Sequence, residues 1–308
     1  MNIETADFLA SIGPTGNLVR LFFKPCRCEI FHWCEDETEL SAHPQYYGLP
    51  LLFPPNRTEH GCFQFHGRVY RLPINDPVNG FNVHGFLLDH HPDAVSCKGN
   101  CWNVTLRWKP DDPGFAGFPH EFELTRKYCF LEASVRIETV IDNHSAEDMP
   151  YGIGFHTAFA APRDEAVFIR VPHDGHFWYV HPTRRLPDGR LAEIEPDVAS
   201  ALDGKSESRS CPLGVQLSVP PAGGCFEILR RDVRIRYVVD PKFRFFAVWN
   251  AAGQRDLICI EPMSWLTNAP NLPLPGEQAG IRALASGESV CFSQELHIFP
   301  GCDCRFLS

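Results

Sequence analysis

Two short segments of the chain hold side chains suited to moving protons. In Tyr151-Gly152-Ile153-Gly154-Phe155-His156-Thr157-Ala158-Phe159, strand alternation puts Tyr151, Ile153, Phe155 and Thr157 on one face. Gly152, Gly154, His156 and Ala158 fall on the other, which is bare except for one imidazole. Glycine weakens a strand interior and marks close approach by a ligand or another backbone. His156 is therefore expected to stand in an open space. The second segment is Leu257-Ile258-Cys259-Ile260-Glu261, followed by Pro262. Its unbroken apolar run implies a strand buried on both faces that ends in a carboxylate. Burial without a partner raises a carboxyl pKa, because the charged form loses hydration. Glu261 is thus a candidate general base if a cleft lies there. The plainer reading is a rim glutamate, paired with an arginine or solvated.

Two further clusters carry hydroxyl-binding groups, Pro54-Pro55-Asn56-Arg57 and Asn82-Val83-His84-Gly85-Phe86. Asn, Arg and His can hydrogen-bond sugar hydroxyls, and nearby aromatic rings can stack on a sugar's C–H face. A lone arginine or histidine in a loop is usually just solvated, so each cluster is weak by itself. His173, His176 and His181 have an H-x2-H-x4-H spacing in a loop rich in proline and glycine. No helix sets i,i+4 geometry there, and no metal site is expected. The chain has no G-x-S-x-G, no phosphate-cradling glycine loop and no dinucleotide fingerprint. Triad, phosphoryl and hydride chemistry have no support, and no cofactor is expected.

The elements that must position these groups are strands. Trp102–Trp108 and Val233–Val239 alternate apolar and polar residues without a break. Leu18–Phe23, Glu121–Phe130, Ser134–Ile141, Val167–Val171, Gly214–Val219, Cys225–Leu229, Phe245–Trp249 and Val290–Phe299 also read as strands. Turn signals such as Asp142-Asn143-His144-Ser145 and Ser286-Gly287-Glu288-Ser289 separate them. No amphipathic helix exceeds two turns. The pattern predicts an all-β chain of about fifteen strands, too many for one simple open sheet. Two large sheets packed face to face are expected, forming a single domain over residues 1–308. Arg184–Ser210 reads as a polar loop inserted in that domain.

The 44% hydrophobic content and 24 Phe suffice for a large core. The formal charge of -10 argues against nucleic acid or an anionic membrane as partner and suits an uncharged, diffusible substrate. The N-terminus lacks the basic and apolar regions of a signal peptide, and no apolar run approaches the roughly 20 residues that span a bilayer. The protein is therefore expected to be cytoplasmic, with its 13 cysteines reduced. Cys129, Cys225, Cys259 and Cys291 sit in apolar strands as small hydrophobes. Cys26/Cys28, Cys97/Cys101 and Cys302/Cys304 lack the second pair that a zinc finger needs.

Taken in order, these pieces resemble the aldose 1-epimerase (galactose mutarotase) family. The matching segments are Gly48–Arg57, Val83-His84-Gly85-Phe86, Gly154–Phe159, Cys259-Ile260-Glu261-Pro262 and Gly280–Ser289. The resemblance implies a β-supersandwich and a mutarotase that interconverts the α and β anomers of a hexose. It implies that His156 is the acid that protonates the ring oxygen and Glu261 the base at the C1 hydroxyl. Asn56, Arg57 and His84 match substrate-orienting positions. The glutamate segment continues as Pro262-Met263-Ser264-Trp265, unlike the galactose enzymes, and Trp265 is expected to stack on the sugar. The family also has an aspartate between the second histidine and the glutamate, for which Asp197, Asp203 and Asp240 are candidates. Other readings are a non-catalytic sugar-binding protein, a carbohydrate lyase or hydrolase, and a mutarotase for 6-phosphorylated hexoses. For the last, Arg184, Arg185 and Arg190 would supply basic residues at a cleft rim.

Overall fold

Alternating apolar residues bury one face of a strand, and the chain answers with strands almost wherever it alternates. In a computed structural model, which describes residues 1–221 and 223–301, there are 26 strands. Leu18–Phe23, Val233–Val239 and Phe245–Trp249 have the predicted bounds. Cys101–Trp108, Phe122–Leu131 and Ser289–Pro300 differ from expectation only at their ends. The strands beyond the expected fifteen are mostly two to five residues long, such as Leu51–Leu52 and Arg57–Glu59. Pairing with distant segments creates some of them, as when Leu51–Leu52 meets Gly154–Phe155, so local alternation does not reveal those.

The larger sheet has eight antiparallel strands. Their spatial order is Ala94–Lys98, Cys101–Trp108, Phe122–Leu131, Ser134–Asn143, Ser289–Pro300, Val233–Val239, Gly224–Leu229 and Phe168–Arg170. A six-stranded sheet runs Gly214–Ser218, Phe245–Trp249, Leu257–Met263, Gly154–Phe155 and Leu51–Leu52, with Ala158–Ala160 also paired to Leu257–Met263. The two sheets pack face to face, as the pattern predicts. Phe226 meets Phe246 at 4.8 Å between ring centroids, and Phe159 meets Tyr237 at 5.5 Å. Such pairs contribute about 0.5–1.5 kcal/mol beyond burial. A four-stranded sheet begins the chain and packs beside them, with Phe8 on Phe130 at 6.0 Å.

Leu257–Met263 is the strand on which the second sheet is organised. All seven residues are buried. Ile258 and Ile260 enter the main core, whereas Cys259, Glu261 and Met263 occupy the opposite face.

Three expectations are corrected. Tyr151–Phe159 is not one strand: it breaks into Met149–Tyr151, Gly154–Phe155 and Ala158–Ala160. Arg184–Ser210 is not a loop throughout, since it contains the strand Pro187–Glu193 and the helix Pro196–Leu202. Cys129 is not a free thiol. Register places it directly opposite Cys101, with Cα atoms 4.1 Å apart, and the two form a disulfide. Nine other cysteines are free, and Cys302/Cys304 lie outside the described residues. No described helix is long and apolar enough to cross a membrane.

Candidate active site

Register brings the two proton-moving candidates together. Gly154 lies opposite Met263, and Ala158 lies opposite Cys259. The count is the same on both sides, so His156 falls opposite Glu261. Cross-strand partners share a face and approach closely. His156 Nε2 and Glu261 Oε1 are 3.3 Å apart, and both side chains are buried. The row continues across the sheet, because Glu261 is also opposite Ala247, and Ala247 is opposite Gln216. His156, Glu261, Ala247 and Gln216 thus form one row on one face. The small Ala247 leaves space above it.

Arg57 and His84 arrive from a second pairing. Arg57–Glu59 pairs with Phe81–Val83, with Arg57 opposite Val83, and the His84 N–H donates to the Asn56 carbonyl at 2.7 Å. Asn56 and His84 both adopt the left-handed backbone, at φ 59 and 66. Such non-glycine conformations persist where surrounding structure over-determines them. Gly85 follows at φ 79, and a Cβ there would strike the Phe53 carbonyl. This tight turn fixes His84 edge-on to His156, with ring centroids 5.0 Å apart.

These residues face a cavity of about 780 Å3 that Asn56, Arg57, His84, His156 and Glu261 all help to line. That size lies within the roughly 300–1,000 Å3 usual for small-molecule sites. Trp265 is absent from its wall. It is buried in a separate apolar cluster, with its indole lying where a Cβ on Gly152 would go. Gly154 is likewise covered, by Pro55 and Met263. The bare face foreseen in the sequence is thus filled by protein at both glycines and open only at His156. Gly152→Ala is expected to destabilise the fold by about 1–3 kcal/mol through overpacking against Trp265. Urea unfolding of the variant measures this directly.

Several lining residues escaped the sequence reading. Trp249 meets His156 edge-on at 5.9 Å and stacks on Tyr46 at 5.7 Å, while Arg255 lies over the Tyr46 ring. Trp249 is therefore the indole on the cavity wall beside the acid–base pair, with Tyr46 stacked against it. Gln216 is buried, with its Oε1 accepting from the Thr267 N–H at 3.3 Å. A polar residue on the face opposite Val215 and Leu217 was the available signal, but nothing local said which strand lay beside it. Of the segment between His156 and Glu261, Gln216 is the polar side chain that reaches the innermost row. Asp197, Asp203 and Asp240 do not line the cavity; Asp203 binds Lys205 and His173, and Asp240 holds the Ser293 N–H. Arg185 and His181 line it, whereas Arg184 pairs with Glu59 and Arg190 with Asp188.

Burial dominates the electrostatics. It pushes the Glu261 carboxyl up to about 8, and the nearby Arg57 charge opposes this only in part. Burial also drives His156 down to about 4, with Arg57 adding to the effect. His84 is driven well below the usual imidazole range by burial, with His156 and Arg57 contributing. Between those limits His156 and Glu261 hold one proton together. Either can give a proton while the other takes one. Arg57 makes no ion pair among the described residues; its Nη1 reaches Asn56 Oδ1 at 3.5 Å. Its charge is thus available to a ligand in the cavity.

Residues 24–297 match the family described as Aldose 1-epimerase. The chain belongs to the aldose 1-epimerase family. Among solved structures, a galactose mutarotase-like protein from Clostridium acetobutylicum is 25% identical, with a TM-score of 0.89 over 97% of this chain and 94% of that one. A putative aldose 1-epimerase from Escherichia coli K12 has a TM-score of 0.78 at 16% identity, covering 97% and 98%. The galactose 1-epimerase of Lactobacillus acidophilus NCFM has a TM-score of 0.74 at 15% identity, covering 98% and 94%. At those last two identities the likeness is one of fold. An uncharacterised protein of Escherichia coli K12, YihR, is 26% identical over 158 residues. That match spans 51% of this chain and about half of the relative, 48%. The β-sandwich of this epimerase-family chain is therefore shared across distant bacterial relatives.

Proposed function

We propose that the protein interconverts the α and β anomers of a hexose by acid–base opening and closing of the pyranose ring. The observation that carries this is the His156–Glu261 pair, 3.3 Å apart and open to a cavity sized for a small molecule. Opening a hemiacetal needs one proton delivered to the ring oxygen and one removed from the C1 hydroxyl. The C1–O5 bond breaks, its electron pair goes to O5, and C1 becomes an aldehyde. Rotation about C1–C2 and reclosure on the other face give the second anomer, with acid and base exchanging roles. When the pair's shared proton has passed from Glu261 to His156 across the 3.3 Å between them, Glu261 takes the C1 hydroxyl proton and His156 supplies the proton at the ring oxygen. Arg57 offsets negative charge as it develops on that oxygen. His84 and Asn56 bind hydroxyls, and Trp249 offers its face to the sugar's C–H side. The steps are proton transfers coupled to breaking and remaking the C1–O5 bond, so the chemistry calls for no redox or group-carrying cofactor.

A second reading, 6-phosphorylated hexoses as substrates, is favoured by Arg185 and His181 on the cavity wall. Polarimetry across free hexoses and their 6-phosphates separates the two. Acceleration of free sugars supports the first reading. Acceleration of the phosphates alone, with KM raised selectively by Arg185→Ala, supports the second. No acceleration for any sugar would leave a binding protein.

A further inference from the structure

Cys259 is a buried thiol that the proton chemistry does not use. It lies two residues before Glu261 on the same face of the same strand, opposite Ala158 and Trp249. One ligand-type atom each from His156, Cys259 and Glu261 lies within 4.8 Å of the others. No other group of three or more such residues among the described residues comes this close. A tetrahedral zinc ion with bonds of about 2.0–2.3 Å holds its ligand atoms roughly 3.3–3.8 Å apart. His156 and Glu261 already stand at 3.3 Å, and the Cys259 sulfur needs to close in by at most about 1 Å. The donors are an imidazole, a thiol and a carboxylate, a set that suits zinc and disfavours magnesium or calcium. Three protein ligands leave a fourth position, and two of the three, His156 and Glu261, line the cavity.

We propose that His156, Cys259 and Glu261 form a zinc-binding site whose occupation switches off the acid–base pair. On binding, the Cys259 thiol and the His156–Glu261 pair each release their proton to solvent, and three bonds to the metal form. Zinc then occupies the lone pairs that proton transfer uses, so metal and turnover exclude one another. The ion's fourth position takes water or a sugar hydroxyl. Metal binding stands on the geometry alone; its inhibitory consequence rests on the acid–base reading.

Cobalt(II) is the probe for binding and zinc for inhibition, with protein kept reduced by a phosphine. Wild type is expected to show a thiolate-to-cobalt charge-transfer band that Cys259→Ala and Cys259→Ser lose. Anomer exchange by wild type should fall on adding zinc and return with a chelator. Both variants should exchange anomers at close to the wild-type rate and need ~10-fold more zinc or above, since even an outer-shell change costs about 10–100-fold in metal affinity. An unchanged cobalt band in both variants, or equal zinc sensitivity in all three proteins, overturns the proposal. If wild type accelerates no sugar, the cobalt difference spectrum still decides whether the site binds metal.

Discussion

Glu261→Gln is expected to lower kcat/KM for anomer exchange by about 10²–10⁴-fold while the protein remains folded. The amide has the carboxylate's shape, but it cannot take a proton from the C1 hydroxyl. At about 1.36 kcal/mol per decade, this loss is roughly 3–5 kcal/mol of transition-state stabilisation. Stability should move the other way with pH. Because burial raises Glu261 to about 8, the folded state holds a proton that the unfolded chain has lost. That contribution is present below the unfolded pKa and disappears as pH rises through 8. His156, lowered to about 4, contributes stability that is complete above its unfolded pKa near 6.5. Wild type should therefore lose stability between about pH 6.5 and 8, and Glu261→Gln should not. Denaturant unfolding at both pH values reads the difference. A variant within twofold of wild-type activity would remove Glu261 from the chemistry.

His156→Asn should cost a similar ~10²–10⁴-fold, by a different route. Asparagine keeps a donor near Glu261 but cannot carry a proton to the ring oxygen. In wild type the active form holds one proton on the pair, so the rate should fall below about pH 4 and above about pH 8. The acid limb belongs to a second proton entering the pair; in His156→Asn it should move up from about pH 4 to about pH 8, where Glu261 alone must lose its proton to act as base. Groups that act as a unit are non-additive. The double variant should thus be no worse than the poorer single one. Multiplied losses would mean that the two residues work separately.

The fold was legible wherever burial acts locally. Val233–Val239 and Phe245–Trp249 alternate because one face meets the core, and their bounds follow from that alone. Leu257–Met263 announced itself by an apolar run ending in Glu261. His156 was visible through the glycines around it, although those glycines serve Trp265, Pro55 and Met263. Trp265 and Trp249 could not be told apart from sequence, since which indole covers a glycine and which faces a cavity depends on packing between distant segments. Gln216 was hidden for the same reason: its importance comes from lying in the row of Glu261, two strands away. The pairing of Cys101 with Cys129 likewise follows from register.

Magnetisation transfer between the anomeric protons of a free hexose, measured by NMR with wild type and Glu261→Gln side by side, tests the acid–base reading most directly. Wild type should accelerate exchange well above buffer alone, and Glu261→Gln should return it to within a few per cent of the wild-type excess. Equal exchange with both proteins would contradict the proposed role of the His156–Glu261 pair.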